Sequence, residues 1–207
     1  MKNQLTIDLN SNQNGKYIES KNLKIKYFNN LFSEQESHYY FNEILEKTLW
    51  NDPNSISWGR NKPYKRGVAW YGDENKMYSY SGITVKPFPW NSMLIEIKAK
   101  IQKAFPVQFN SVLLNDYETG DIGMGWHSDD EKELGYNPVI GSVSFGVERD
   151  FYLKHKTEKD LEKIKIKLKN GSYLVMYGST QEHWLHHIPV RKRIKERRIN
   201  LTFRRII

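Results

Sequence analysis

After Phe105-Pro106 the chain stops reading as helix and starts reading as sheet, and no other feature limits its possible folds as tightly. Upstream, Ser33-Glu34-Gln35-Glu36 has the form of a capping box, in which a hydroxyl and a carboxylate three residues apart satisfy orphan backbone N–H groups. Phe41, Ile44, Leu45 and Leu49 follow at helical spacing, so a helix is expected over 34–49. A second is expected over 91–104, where Leu94, Ile97 and Ile101 share a face. Downstream, apolar residues come in short or alternating runs divided by Gly, Asn and Asp. Strands are expected near 111–117, 139–146, 150–156, 163–169, 172–177 and 198–206. Helices first and many strands afterwards argue α+β, with an antiparallel sandwich or barrel. Residues 1–23, rich in Asn, Lys and Ser, read as an arm or a peripheral strand, which leaves 24–207 as one domain.

The chain contains no cysteine, which excludes disulfides, a thiolate nucleophile and Cys-ligated metal, so any metal site must use His and carboxylate. No apolar run approaches the roughly 18 residues of a membrane span, and Met1 to Asn14 is too polar for a signal peptide. A soluble, unprocessed, intracellular monomer is expected, in nucleus or cytoplasm. Lys and Arg outnumber Asp and Glu by 32 to 24, and eight of the basic residues lie between His186 and Ile207 against the single acid Glu196. Such a block is either a solvated face or suits a polyanion, nucleic acid before an anionic membrane. Pro53, Gly59, Pro63 and Gly67 break the pattern over 51–67, where Trp58, Arg60, Lys62, Lys65 and Arg66 suggest an exposed basic loop or hairpin.

The chemistry concentrates between Asn115 and Asp129. In His127-Ser128-Asp129 one intervening residue puts an imidazole and a carboxylate on the same side of an extended backbone, able to grip one ion together. With one more His they would make the facial triad of non-haem Fe(II) oxygenases, and by ligand count alone they could also hold zinc for hydrolysis. The third ligand is sought in His183-Trp184-Leu185-His186-His187, where spacing does not choose among three imidazoles. His155, between lysines in a strand, reads as a surface residue. In the last strand Arg198, Asn200, Thr202 and Arg204 alternate strictly with Ile199, Leu201 and Phe203. That polar face is either turned to water or, with two guanidiniums within about 20 Å on one side, suited to capturing a small dicarboxylate. Asn115 and Tyr117 also share a face and need partners if buried.

These pieces together resemble the AlkB family of Fe(II)- and 2-oxoglutarate-dependent dioxygenases, and within it the eukaryotic-type nucleic-acid demethylases. The resemblance runs from about residue 24 to the end. It is carried by Tyr78-Ser79-Tyr80-Ser81-Gly82, Asn115-Asp116-Tyr117, His127-Ser128-Asp129-Asp130-Glu131, Ser142-Val143-Ser144-Phe145-Gly146, Arg149-Asp150-Phe151, His183-Trp184-Leu185-His186 and the run from Arg198 to Arg204. It implies a double-stranded β-helix, or jelly roll, with the N-terminal helices packed on one sheet. It further implies iron ligands His127, Asp129 and His186, and a 2-oxoglutarate site of Asn115, Tyr117, Arg198, Asn200, Thr202 and Arg204, with Arg198 on the distal carboxylate. Tyr80, with Tyr78 beside it, falls where the family stacks a flipped base in a nucleotide-recognition region over about 51–88. Asp130 and Glu131 fall near the base edge, and Trp58, Gly59 and Arg60 align with a finger that enters the duplex. The implied reaction uses Fe(II), 2-oxoglutarate and dioxygen to remove N-methyl groups of the 1-methyladenine or 3-methylcytosine type from DNA or RNA, releasing formaldehyde, succinate and carbon dioxide. The alternatives are an inert nucleic-acid-binding module, which the complete ligand set disfavours, and a dioxygenase acting on another substrate, which the basic block and Tyr80 disfavour.

Overall fold

The computed structural model describes residues 5–6, 15–50, 66–74, 78–80 and 83–207. Along the chain these form β1 (Leu5–Thr6), β2 (Lys16–Ser20), β3 (Leu23–Phe28), α1 (Glu34–Lys47), β4 (Gly67–Gly72), β5 (Tyr78–Tyr80), β6 (Ile83–Val85) and α2 (Ser92–Ala104). There follow β7 (Ser111–Tyr117), β8 (Met124–His127), a 3-10 turn (Lys132–Leu134), β9 (Ile140–Gly146), β10 (Arg149–His155), β11 (Ile164–Leu168), β12 (Ser172–Tyr177), α3 (Thr180–His183), β13 (Trp184–Ile188) and β14 (Arg198–Arg204). Seven strands make one sheet in the order β2-β3-β12-β9-β14-β7-β4, and five make a second in the order β1-β11-β10-β13-β8. Every pairing in the larger sheet is antiparallel, and the two sheets form the jelly roll. No helix among the described residues is long and apolar enough to cross a membrane.

The switch at residue 105 holds only in part, because both long helices precede it but so do the strands β1 to β6. The Ser33 hydroxyl accepts the Glu36 N–H while the Glu36 carboxylate accepts the Ser33 N–H, so the capping box starts α1 as expected. Asn91 caps α2 through the Leu94 N–H. Both helices lie on the outer face of the larger sheet, where Tyr40, Ile44, Leu94, Ile97 and Ile101 join Ile199, Leu201 and Phe203 of β14 in one core. A second core lies between the sheets, with Ile25, Leu174 and Met176 on one side and Phe151, Leu153, Ile166, Trp184 and Ile188 on the other. Period-two alternation thus sends the apolar half of β14 toward the helices and its polar half toward the other sheet.

The stretch read as an arm or peripheral strand supplies β2, an edge strand paired to β3. β3 to β6, β8, α3 and β13 were not foreseen, and of these β8 and β13 carry His127 and His186. His155 requires a correction, because it is buried rather than on the surface. It sits on the inward face of β10 with its ring edge-on to Trp184, and its Nδ1 accepts the backbone N–H groups of Thr157 and Glu158. Flanking lysines suggested exposure, but in a strand flanking residues point the opposite way.

Candidate functional site

His127 and His186 meet because β8 and β13 are antiparallel neighbours with those two residues directly opposed. Their ring centroids are 4.3 Å apart. Asp129 follows just past the end of β8, buried at 4 % exposure, with Oδ2 3.8 Å from His186 Nε2. The three ligand atoms lie within 4.8 Å of one another, and no other group of three His, Asp or Glu among the described residues is so disposed. Bonds of about 2.1 Å would place neighbouring ligands roughly 3–4 Å apart, so a modest contraction suffices for one ion. Of the three candidate imidazoles the fold thus selects His186. His183 lies at the end of α3, and His187 points to the outer face, where it stacks on Trp126 at 4.0 Å.

The protonation states suit a metal. His127 Nδ1–H donates to the Gly125 carbonyl at 2.8 Å, which leaves the Nε2 lone pair for a ligand. Burial drives the His186 imidazole down to about 3, so it is neutral. Burial alone would raise the Asp129 carboxyl, but the Arg204 guanidinium and the two imidazoles bring it to about 2. Arg204 Nη2 donates to Asp129 Oδ1 at 2.6 Å, binding a ligand on one sheet's edge to the last residue of β14 on the other.

A cavity between the sheets runs from this triad to Arg198. Arg198, Asn200, Thr202, Arg204, Asn115 and Tyr117 all line it, because β14 and β7 pair in register with Asn200 opposite Asn115 and Arg198 opposite Tyr117. The polar face of β14 is therefore enclosed and not solvated. Arg198 is 1 % exposed; its Nη2 donates to Ser144 Oγ at 2.9 Å, and its guanidinium sits 5.2 Å from the Tyr117 ring centroid. Its Nε and Nη1 have no hydrogen-bond partner. Burial pulls the guanidinium down to about 10, still cationic at neutral pH. A buried cation with unfilled donors at the far end of a cavity is the chemistry of a carboxylate seat.

Asn200 is differently employed. Its Nδ2 donates to Ser142 Oγ and the Val143 carbonyl, and its Oδ1 accepts from Thr202 and Asn115. It locks three strands together. Ser142 and Ser144 were missed as site residues; their period-two spacing on β9, opposite Thr202 and Asn200, is the signal that could have found them. Arg149 was missed too. Its buried Nη2 donates to the carbonyls of Ile122 and Pro189, clasping the β7–β8 loop to the segment after β13. The same contact explains Gly120, where a Cβ would fall 2.1 Å from the Arg191 carbonyl oxygen.

Asp130 pairs with Lys156 at 2.9 Å and accepts from Ser128. Glu131 keeps a buried Oε2 without a partner, and burial pushes its carboxyl up. Tyr78 and Tyr80 lie on β5, paired with β6 with Tyr80 opposite Ile83. Trp58, Gly59 and Arg60 lie outside the described residues. The basic block divides: Arg198 and Arg204 turn inward, Arg191 pairs with Asp150, Arg197 with Asp116 and Glu118, while Lys192, Arg193, Lys195 and Arg205 are exposed.

Comparison with known proteins agrees with this geometry. Residues 24–204 match the model of the 2OG-Fe(II) oxygenase superfamily. The chain is 37 % identical over 187 residues to the DNA oxidative demethylase ALKBH2 of Bos taurus, covering 86 % of this chain and 67 % of that protein. It is 36 % identical over 180 residues to alpha-ketoglutarate-dependent dioxygenase alkB homolog 3 of Rattus norvegicus, covering 83 % and 60 % respectively. It thus spans about two thirds of the length of these relatives. The solved structure of OsALKBH1 shares the fold, with a TM-score of 0.62 at 15 % identity over 87 % of this chain and 97 % of that one.

Proposed function

Because the chain belongs to the 2OG-Fe(II) oxygenase superfamily and is an Fe(II)- and 2-oxoglutarate-dependent dioxygenase, we propose that its substrate is an N-alkylated base in nucleic acid, oxidatively demethylated as a repair reaction. The observation that carries this reading is the shared cavity, with two imidazoles and a carboxylate at one end and a buried, partly unfilled guanidinium at the other. The name of one relative, DNA oxidative demethylase, supports DNA as the polymer and demethylation as the reaction, and the family resemblance implies lesions of the 1-methyladenine or 3-methylcytosine type.

His127, Asp129 and His186 would hold the iron, whose chemistry when bound is the activation of dioxygen at the cost of oxidising 2-oxoglutarate to succinate and carbon dioxide. Arg198 seats the distal carboxylate of the cosubstrate, with Tyr117 and Ser144 fixing the guanidinium. Asn115 and Thr202 face the cosubstrate, and Asn200 acts through both. Arg204 keeps Asp129 ionised and oriented. Met124, Phe151, Leu168 and Ile188 line the same cavity and exclude water from it. The hydroxylated N-methyl group leaves as formaldehyde and restores the base. A base must be unstacked to enter, and Glu131 and Tyr80 are assigned to receiving it.

The outer face of the smaller sheet supports a polyanionic substrate. There Trp126 stacks on His187, His187 reaches Tyr152 at 5.7 Å, and Lys154 Nζ sits 4.5 Å over the Trp126 ring. Aromatic rings interleaved with cations suit a nucleic-acid strand better than a protein or lipid substrate. The test is formaldehyde release from matched methylated and unmethylated oligonucleotides, single- and double-stranded, DNA and RNA, with iron and 2-oxoglutarate supplied or withheld. Release only from methylated oligonucleotides with both supplied is expected. Cosubstrate turnover with no formaldehyde from any oligonucleotide would reject the substrate class.

A further inference from the structure

Asp129 is the one ligand of the triad that no strand holds. β8 ends at His127, and residues 128–131 belong to neither sheet, so the ladders that align His127 with His186 leave the Asp129 backbone unfixed. Its N–H is instead taken by Gln181, 52 residues further on, whose Oε1 accepts it at 2.9 Å. Gln181 is fully buried in α3, five residues before His186. Its Nε2 lies 3.4 Å from Met176 Sδ. A thioether accepts weakly and never donates, and the Asp129 N–H only donates, so the amide has one workable orientation; turned over, two N–H groups would face each other.

Lys156 closes a ring around the same loop. Its Nζ donates to Asp130 Oδ2 at 2.9 Å and to the Gln181 carbonyl at 3.0 Å, while its backbone N–H donates to the His183 carbonyl. The loop after β8 is thus joined twice to the helix that leads into β13. Arg204 grips the Asp129 carboxylate from the opposite side.

We propose that Gln181, anchored by Lys156, is a positioning residue that sets the Asp129 backbone against His186, so that the three-ligand site exists before the metal arrives. This rests on reading the triad as a metal site and is independent of the substrate. Partners of this kind, one bond removed from a metal ligand, govern affinity by typically 10–100-fold.

The probe is Mn(II), titrated into the metal-free full-length chain without 2-oxoglutarate, followed by calorimetry and electron paramagnetic resonance. Gln181→Met keeps the length and volume of the side chain and removes the acceptor. It is expected to weaken Mn(II) binding tenfold or more and to speed exchange of the Asp129 amide proton. Lys156→Met, a change at a partly exposed position, is expected to weaken binding about threefold. A Gln181 that only fills space would lower the melting temperature of the metal-free protein and leave Mn(II) affinity of the folded protein unaltered. That result overturns the proposal. Should Gln181→Met fail to fold, unchanged Mn(II) affinity in folded Lys156→Met overturns it equally. Absence of Mn(II) binding by the unsubstituted chain would remove the metal-site reading itself, and a chain that binds Mn(II) normally yet demethylates nothing would remove only the substrate reading.

Discussion

The two sheets divide the site between them, and they do so under different constraints. The seven-stranded sheet is covered on both faces, by α1 and α2 outside and the second sheet inside, and it supplies the polar row that lines the cavity, spread along β7 and β14. The five-stranded sheet keeps its outer-face residues only half-buried and supplies His127 and His186 from two short strands, one of them at its edge among the described residues. A long, doubly buried strand tolerates no register error, so its polar row arrives as a fixed array. A short edge strand is held by less, and its ligands need support from outside the ladder, which Arg204 and Gln181 give. Losses on the ligand side should therefore be all-or-none, and losses on the array side graded.

The largest effect tests the first half of that contrast. Asp129→Ala should abolish turnover, at least a hundredfold, and leave most of the fold, as read by circular dichroism and 2-oxoglutarate consumption. His186→Ala should match it, whereas His183→Ala and His187→Ala should retain iron-dependent turnover; the reverse pattern would move the third ligand. Next comes Arg198→Ala, which removes a charge-assisted bond in a buried seat worth on the order of 2 to 5 kcal/mol. The apparent 2-oxoglutarate requirement should rise roughly thirtyfold or more, while exposed Lys192→Ala leaves it unchanged. Equal effects would erase the distinction between the inward and outward halves of the basic block.

Smaller again is the open face. Tyr152→Leu and Lys154→Ala should each weaken binding of an unmethylated oligonucleotide by about threefold and flatten its salt dependence for the lysine. Fluorescence anisotropy at two salt concentrations reads both, and an effect as large as that of Arg198→Ala would mean the outer face is part of the reaction site. The smallest concerns His155. Burial depresses its folded pKa, so its contribution to stability is present above the unfolded value near 6.5 and is lost as pH falls below it. Chemical denaturation between about pH 7.5 and 5 should show the unsubstituted protein losing more stability than His155→Asn; parallel pH profiles would remove that assignment.

What could be read beforehand follows the same division. The alternation of Arg198 to Arg204 and the capping box at Ser33 are local rules with one structural solution, and both were legible. β8 and β13 were not, since Met124–His127 is four residues long with Gly125 inside it, and Trp184–Ile188 holds two histidines among three apolar residues. The choice of His186 over its neighbours depends on a cross-strand register and so needed either the structure or the family resemblance. Gln181 and Arg149 act through contacts with residues 27 to 52 positions away, which leave no trace in local spacing.

Among the described residues β8 is also the last strand of its sheet, four residues paired there on one side only, with a register irregularity between its contacts at Ile188 and His186. Such a strand frays long before the domain unfolds. Its amide protons should exchange with solvent faster than those of β9 or β14, and a metal held by His127 and His186 would tie the fraying end to β13. The lifetime of a metal held there would then follow the opening rate of four residues and not global stability. Heat or oxidation could thus empty the site in a chain that remains otherwise folded.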